Sequence, residues 1–135
     1  MPSHNDNTYL LGIDGGTESL RAGIFDLDGT LLASASTAYE THFPNPGWAE
    51  QDPRDWWRAL GDSVRTAVDQ SGLRPEQIAA MAVDTTCCSV VALDEEGEPL
   101  CPCLIWMDVR SDPQTEKVVA TADEALRVNG GGRGP

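Results

Sequence analysis

Apolar residues fall in short runs along this chain, and small or charged residues separate the runs. In the first third, runs at residues 9–13, 20–25 and 30–39 have the length of strands rather than of helices. The breaks between them contain Gly15-Gly16 and Gly29, which permit tight turns. Three runs joined by two tight turns predict an antiparallel meander.

A helical pattern follows the meander and a loop that contains Pro44 and Pro46. Asp52 is placed as an N-cap, and Pro53 takes the first helical position. Beyond it, apolar residues recur at spacings of three and four until Gly72: Trp56, Trp57, Leu60, Val64, Ala67 and Val68. The pattern predicts an amphipathic helix in which the two tryptophans are core anchors.

The second half of the chain alternates again between apolar runs and turns. Residues 75–77 predict a short helical turn, and residues 78–83 predict a strand. Six small polar or thiol residues at 84–89 then form a loop that can present hydroxyls to a ligand. A second hairpin at 90–100, a strand from Leu104 towards Arg110 and a helix from Asp112 to about Leu126 follow, before a glycine-rich ending.

Composition places the chain among soluble globular proteins. Its 135 residues suffice for one domain with a core, and hydrophobic and charged residues make up 40% and 23% of it. Residues 1–7 predict a loose tail without the features of a signal peptide, and no apolar run has the length of a membrane span. We therefore expect a cytoplasmic protein.

Charge and cysteine spacing narrow the possible partners. A net charge of −13 argues against nucleic acid and anionic membrane surfaces, which are bound through basic patches. The alternative is that this acidity is only a solubility device, which accounts for most of the total charge. The cysteines at 87, 88, 101 and 103 do not have the spacing of a structural zinc site, so we expect reduced thiols.

The turn between the first two runs has the chemistry of a phosphate-binding loop. Its glycines expose backbone N–H groups, and hydroxyls stand beside them. Asp14 is placed to hold a hydrated Mg²⁺, which favours one or two carboxylates together with water and phosphate. The same residues also suit an ordinary hairpin turn. The candidate residues are Asp14, Gly15, Gly16, Thr17, Glu18, Ser19 and Arg21.

Three motifs give the chain a resemblance to a known family. The first run leads into Asp-x-Gly-Thr-x-Ser-x-Arg at residues 14–21, Trp-Ala-Glu-Gln-Asp-Pro occupies 48–53, and Trp-Met-Asp-Val-Arg occupies 106–110. In this order the motifs are similar to those of the FGGY carbohydrate kinases, within the superfamily of sugar kinases, Hsp70 and actin. The resemblance extends over nearly all of residues 9–128.

The resemblance implies a fold and a reaction. The fold is a ribonuclease-H-like α/β domain, a mixed sheet flanked by helices, of which residues 8–135 would form the N-terminal part. The reaction is transfer of the γ-phosphoryl group of ATP, with Mg²⁺, to a hydroxyl of a sugar or polyol. By the same resemblance Asp14 positions the metal, while the other loop residues contact phosphate. A homodimer of the full-length protein is compatible with this interpretation.

The sugar site implied by the resemblance lies in the second half of the chain. Its candidates are Thr86, Cys87, Cys88, Trp106, Asp108 and Arg110. Asp108 and Arg110 can alternatively pair with each other. The substrate loop of the family corresponds to Thr86-Cys87-Cys88, where glycerol kinases carry an arginine–glutamate pair and xylulose kinases a methionine–histidine pair. The loop looks closer to the ribulose and ribitol kinases, which favours a pentulose or pentitol substrate.

Two alternatives remain open from the sequence. The catalytic base and the adenine-binding second domain of the family lie beyond position 135, so we expect a piece of a kinase with little turnover of its own. The chain could instead be a non-catalytic module that binds sugar or phosphate. Separately, Asp26-Leu27-Asp28-Gly29 looks like the first motif of haloacid-dehalogenase phosphatases, although its place between two hairpin strands favours a turn.

Overall fold

The computed structural model describes residues 8–121. Six strands and two helices follow one another in this order: β1 (Tyr9–Gly15), β2 (Ser19–Phe25), β3 (Leu31–Ala38), β4 (Glu50–Gln51), α1 (Pro53–Ser71), β5 (Ile78–Thr85), β6 (Cys103–Leu104) and α2 (Asp112–Ala120). A 3₁₀ turn at Pro75–Gln77 leads into β5, as predicted. The predicted tail at 1–7 and the end of the second helix lie outside the described residues.

The main sheet has four strands in the order β3-β2-β1-β5. β1, β2 and β3 form the predicted antiparallel meander, whereas β5 lies parallel to β1. A parallel neighbour requires a crossover connection, which α1 supplies. The expected mixed α/β sheet is therefore present.

Helix α1 packs on one face of this sheet and forms the core with it. Alternate residues of β1 and β2 point to that face, because successive side chains of a strand alternate. The buried cluster consists of Leu11, Ile13, Leu20, Ala22, Ile24, Ala59 and Ala67. Ser63 is fully buried within it, and its hydroxyl donates to Leu20 O over 3.0 Å. One face of the sheet and one stripe of the helix thus make the core.

The predicted ends of α1 are confirmed. The Asp52 carboxylate accepts a hydrogen bond of 2.9 Å from Arg54 N, and Gly72 follows the helix with φ +68°. The prediction for the tryptophans was wrong in part, since the Trp57 side chain is 75% exposed. Trp56 is only partly buried and packs against a second small cluster of Ala49, Cys103 and Ile105. The apolar spacing found the helix but not which of two adjacent tryptophans faces inwards.

Two acidic turns have the same hydrogen-bond pattern. Asp26 Oδ1 accepts from the backbone N–H groups of Asp28 and Thr30, and Asp94 Oδ1 accepts in the same way from Glu96 and Glu98. These bonds, first of all the one from Thr30, lower the pKa of Asp26. Asp26 and Asp28 therefore lie in a hairpin turn, as their position predicted, and not at the end of a parallel strand as the phosphatase motif requires.

The second hairpin and the strand before Arg110 are shorter than predicted. Between residues 90 and 100 one isolated bridge forms, Leu93 with Pro99, and Val90 forms another with Leu104 of β6. β6 contains two residues, and the segment from Trp106 to Arg110 forms no strand. The backbone of residues 105–109 bonds instead to the residues before α1, since Val109 N donates to Gly47 O and Ile105 N to Ala49 O. In the described part of the chain, neither helix has the length and apolar composition of a membrane span.

Candidate functional site

The predicted phosphate loop is the tight connection between β1 and β2. β1 ends at Gly15 and β2 begins at Ser19, and Gly16 N donates to Ser19 O over 3.0 Å. The turn therefore presents Thr17 and Glu18 at the end of the sheet. The strands place all seven predicted phosphate-site residues within or directly beside this connection.

Asp14 and Arg21 lie opposite each other where the two strands enter the loop. They are partners in the β1–β2 register, and Arg21 Nη2 is 2.8 Å from Asp14 Oδ2. Both side chains are at least half exposed. In the β1–β5 register Asp14 stands beside Asp84, so two carboxylates and one guanidinium occupy neighbouring positions on one face of the sheet. This face can receive an anion together with a cation.

Residues distant in the sequence hold the phosphate loop. Gln51 Nε2 donates to Thr17 O over 2.6 Å, and its Oε1 accepts from Trp56 Nε1 over 3.0 Å. The Tyr39 hydroxyl donates to Gly16 O. Burial first, and then the nearby Asp14 carboxylate, raise the pKa of Tyr39, which keeps its hydroxyl a donor.

Sequence reasoning missed Tyr39 and Gln51 as site residues. Gln51 belongs to the Trp-Ala-Glu-Gln-Asp-Pro motif, and that motif is a signal that could have found it. Tyr39 carries no comparable signal, because it lies at the end of an ordinary strand run. Both residues act through the loop and are positioning residues.

The loop after β5 meets the phosphate loop directly. Thr86 N donates to Gly15 O over 3.1 Å, which continues the β1–β5 ladder by one bond. Cys87 and Cys88 are exposed beyond it. A cavity of about 200 Å³ lies between the two loops, and its lining includes Gly16, Tyr39, Gln51, Trp56, Thr86 and Ser89. Within the described residues, the buried hydroxyl of Ser89 has no hydrogen-bond partner.

Trp106 joins the third motif to the phosphate loop. Its indole Nε1 donates to Thr17 Oγ1 over 3.1 Å, and the side chain is about half exposed. An open space beside the ring is lined by Thr17, Ser19, Arg21 and Met107 among others. The predicted phosphate and sugar segments therefore meet at one place.

Asp108 and Arg110 pair with each other. The Asp108 carboxylate is 4% exposed, accepts from Ala49 N over 2.8 Å and forms an ion pair of 2.6 Å with Arg110. Arg110 also contacts Glu50 at 2.8 Å and stacks 4.0 Å above the ring of Trp48. The Arg110 hydrogen bonds hold the pKa of Asp108 well below its usual range. Of the two interpretations the sequence left open, the structure shows the pair, and the pair fastens the Trp106 segment to residues 48–50.

Comparison with known proteins identifies the family. Residues 9–131 match the FGGY family of carbohydrate kinases, N-terminal domain. The chain belongs to this family. The predicted family and fold are thus confirmed.

The relatives are kinases of more than one substrate. The chain is 39% identical to a glycerol kinase of Roseobacter denitrificans over 77% of this chain and 21% of the relative. It is 42% identical to a glycerol kinase of Methylorubrum extorquens over 74% of this chain and 20% of the relative. The crystal structure of xylulose kinase from Rhodospirillum rubrum superposes with a TM-score of 0.79 and 29% identity, over 87% of this chain and 24% of that one. The chain therefore spans less than a quarter of these relatives.

Proposed function

We propose that this chain supplies the phosphate loop and one side of the sugar site of an ATP-dependent carbohydrate kinase. The observation that carries the proposal is the hydrogen bond from Trp106 Nε1 to Thr17 Oγ1. It joins two motifs that are 89 residues apart in the chain, one suited to phosphate and one with an exposed aromatic face. An aromatic ring beside a phosphate loop suits a ligand that brings a sugar next to a phosphoryl group.

In this proposal the phosphate loop binds ATP. Loop backbone and hydroxyl groups would contact phosphate oxygens, and Arg21 would contribute positive charge. Phosphoryl transfer depends mainly on positioning and charge stabilisation, so a firmly held loop is a substantial part of the apparatus. The residues assigned to this role are Asp14, Gly15, Gly16, Thr17, Glu18, Ser19 and Arg21.

Mg²⁺ fits the donors at Asp14. The Asp14 carboxylate is half exposed and has Asp84 beside it in the register, which offers hard oxygen ligands on one face. Bound there, Mg²⁺ would neutralise charge on the ATP phosphates. Arg21 orients Asp14 through their ion pair, and its exposed guanidinium would bind a phosphate oxygen.

The sugar side is assigned to Thr86, Cys87, Cys88 and Trp106. Thr86 is bonded to Gly15, the two thiols are exposed, and Trp106 offers an apolar face. Asp108 and Arg110 position Trp106 and are not assigned to sugar contact. We propose a pentulose or pentitol as the acceptor, because the opening of this loop, Asp84-Thr85-Thr86-Cys87, looks closest to that of the ribulose and ribitol kinases. We assign no catalytic base among residues 8–121.

An ATP-consumption screen tests the proposal. The protein encoded by the whole reading frame that contains these residues is assayed with pentuloses, pentitols, glycerol and hexoses, beside residues 1–135 alone. We expect acceptor-dependent ATP consumption that Asp14→Ala abolishes, with a pentulose or pentitol as the best acceptor. Glycerol as the best acceptor would overturn the substrate assignment. Sugar binding without ATP consumption by the whole protein would instead support a non-catalytic module.

A further inference from the structure

Cys87 and Cys88 form a pair of neighbouring thiols on an exposed loop. Their Sγ atoms are 3.8 Å apart, and both residues are exposed. Side chains of successive residues in an extended chain point in opposite directions. Cys88 departs from that conformation, with φ +62°. Among the residues that the structure describes, it is the only non-glycine residue with a positive φ. The loop therefore brings the two thiols together where β5 ends.

From this geometry we propose that Cys87 and Cys88 are a site of reversible oxidation, at which a peroxide closes a disulfide between the two neighbouring residues. A disulfide bond is about 2.05 Å long, so the sulfur atoms must approach each other by side-chain rotation. Neighbouring Cα atoms are about 3.8 Å apart, and the usual span of a disulfide is about 4.4–6.8 Å. The bond is therefore strained, and strained, exposed disulfides are the ones that thiols reduce readily.

The direction of the hydrogen bond between the thiols indicates which sulfur reacts with the peroxide and which then closes the disulfide. Cys88 donates to Cys87 Sγ, and this bond raises the pKa of Cys88. Cys87 therefore attacks the peroxide oxygen, which forms a sulfenic acid at Cys87 and releases water. The Cys88 sulfur then attacks the Cys87 sulfur and expels a second water molecule. In total two thiols lose two electrons and two protons, and one peroxide becomes two molecules of water.

The position of the pair gives the oxidation a consequence, which rests on the proposed function. Thr86 bonds to Gly15 of the phosphate loop, so the two thiols lie one and two residues from the junction of the two loops. Closing the ring fixes the side chains that we assign to sugar contact and removes both S–H donors. Oxidation should therefore weaken binding of the sugar more than binding of ATP.

The other cysteines provide the matched control. Cys101 is exposed like Cys87 and Cys88 but has no adjacent cysteine, and Cys103 is buried. Burial raises the pKa of Cys103, which makes it a poor nucleophile. A general sensitivity of exposed thiols would modify Cys101 to the same extent as the pair.

Peptide mass spectrometry tests the site without any assay of activity. The folded chain is treated with one equivalent of hydrogen peroxide and alkylated, and it is then cleaved after glutamate, since Glu95 and Glu96 separate the pair from Cys101. We expect the peptide with Cys87 and Cys88 to lack two hydrogen atoms and to resist alkylation until a thiol reductant is added. Cys101 should be alkylated throughout.

Single variants separate this site from other oxidation products. Cys87→Ser and Cys88→Ser should abolish the loss of two hydrogen atoms, whereas Cys101→Ser should retain it. A disulfide to Cys101, sulfinic acid at Cys87 or two unmodified thiols would overturn the proposal.

An assay of the whole protein then tests the consequence. A raised KM for the sugar after oxidation, reversed by dithiothreitol, would support it, and an unchanged KM with the ring closed would refute it. Absence of any turnover would refute the kinase assignment and leave the mass result standing.

Discussion

The two loops that meet at the site are held in different ways. The phosphate loop receives hydrogen bonds from Tyr39, Gln51 and Trp106, and Gln51 is only 3% exposed. The loop at 86–89 joins it through the Thr86 N–H, while Cys87 and Cys88 face solvent. A loop that must place phosphate gains from fixed donors, because misplacement weakens every charge interaction. Under the proposed function, the loop at 86–89 contacts the acceptor and can differ between kinases without disturbing that arrangement.

Of the substitutions that test how the two loops are held, Gln51→Ala should lower the free energy of unfolding most. Gln51→Ala removes the donor to Thr17 O and the acceptor of Trp56 Nε1 in a buried place. We expect the free energy of unfolding to fall by about 3 kcal/mol, since each buried group left without a partner costs about 1–3 kcal/mol. Urea denaturation followed by tryptophan fluorescence measures it.

The control for this change is Gln70→Ala on the exposed side of α1. It should shift the unfolding free energy by less than about 0.5 kcal/mol. An equal, small loss in both variants would show that Gln51 does not hold the phosphate loop.

Gly47 tests the segment that carries Trp106. Gly47 has φ +80°, and a Cβ atom there would lie 2.7 Å from Val109 Cγ2. Gly47→Ala should lower the unfolding free energy by about 2 kcal/mol, because it adds a clash to a left-handed backbone. The matched variant is Gly29→Ala, with φ +83° and open space around the Cβ position. Equal losses in thermal or urea unfolding would mean that the contact with Val109 is unimportant.

Acid should destabilise the segment that carries Trp106, because Asp108 becomes protonated. The pKa of Asp108 is lower in the folded chain than in the unfolded one, so the unfolded chain takes up the proton first as the pH falls. The stabilisation is complete above the ordinary aspartate pKa of about 3.9 and is lost as the pH falls through the lower folded value. Asp108→Asn should remove this part of the pH dependence. When the free energy of unfolding is measured from neutral to acid pH, it should fall less steeply for Asp108→Asn than for the unchanged chain. An equally steep fall in both proteins would contradict the prediction.

The sequence predicted the elements whose causes are local. The ends of α1 follow from Asp52 and Gly72, and the turn at 26–30 follows from a side chain bonding to its own backbone. The phosphate loop could be placed because its glycines and hydroxyls are consecutive. Motif resemblance supplied the family, which spacing and composition alone could not.

Contacts between distant residues were beyond sequence reasoning. Gln51 reaches Thr17 across 34 residues, and Asp108 reaches Ala49 across 59. The strand expected before Arg110 is short because its backbone bonds to Gly47 and Ala49 rather than to a long partner strand. Whether Asp108 faces a ligand or Arg110 depends on how this segment packs against residues 47–49. No local sequence pattern predicts that packing.

The smallest expected effects come from adding a Cβ atom to the phosphate loop, in Gly16→Ala, and removing the side chain of Cys88 in the neighbouring loop, in Cys88→Gly. A Cβ on Gly16 would lie 3.3 Å from Ser19 O and 3.6 Å from Arg21 Nη2, so Gly16→Ala should cost about 1 kcal/mol of unfolding free energy as the turn widens. Cys88 has the left-handed backbone that glycine adopts freely, so Cys88→Gly should leave the urea midpoint unchanged or raise it. A lower midpoint for Cys88→Gly would mean that the thiol pair itself holds its loop, and the contrast between a held phosphate loop and an open neighbouring loop would then fail.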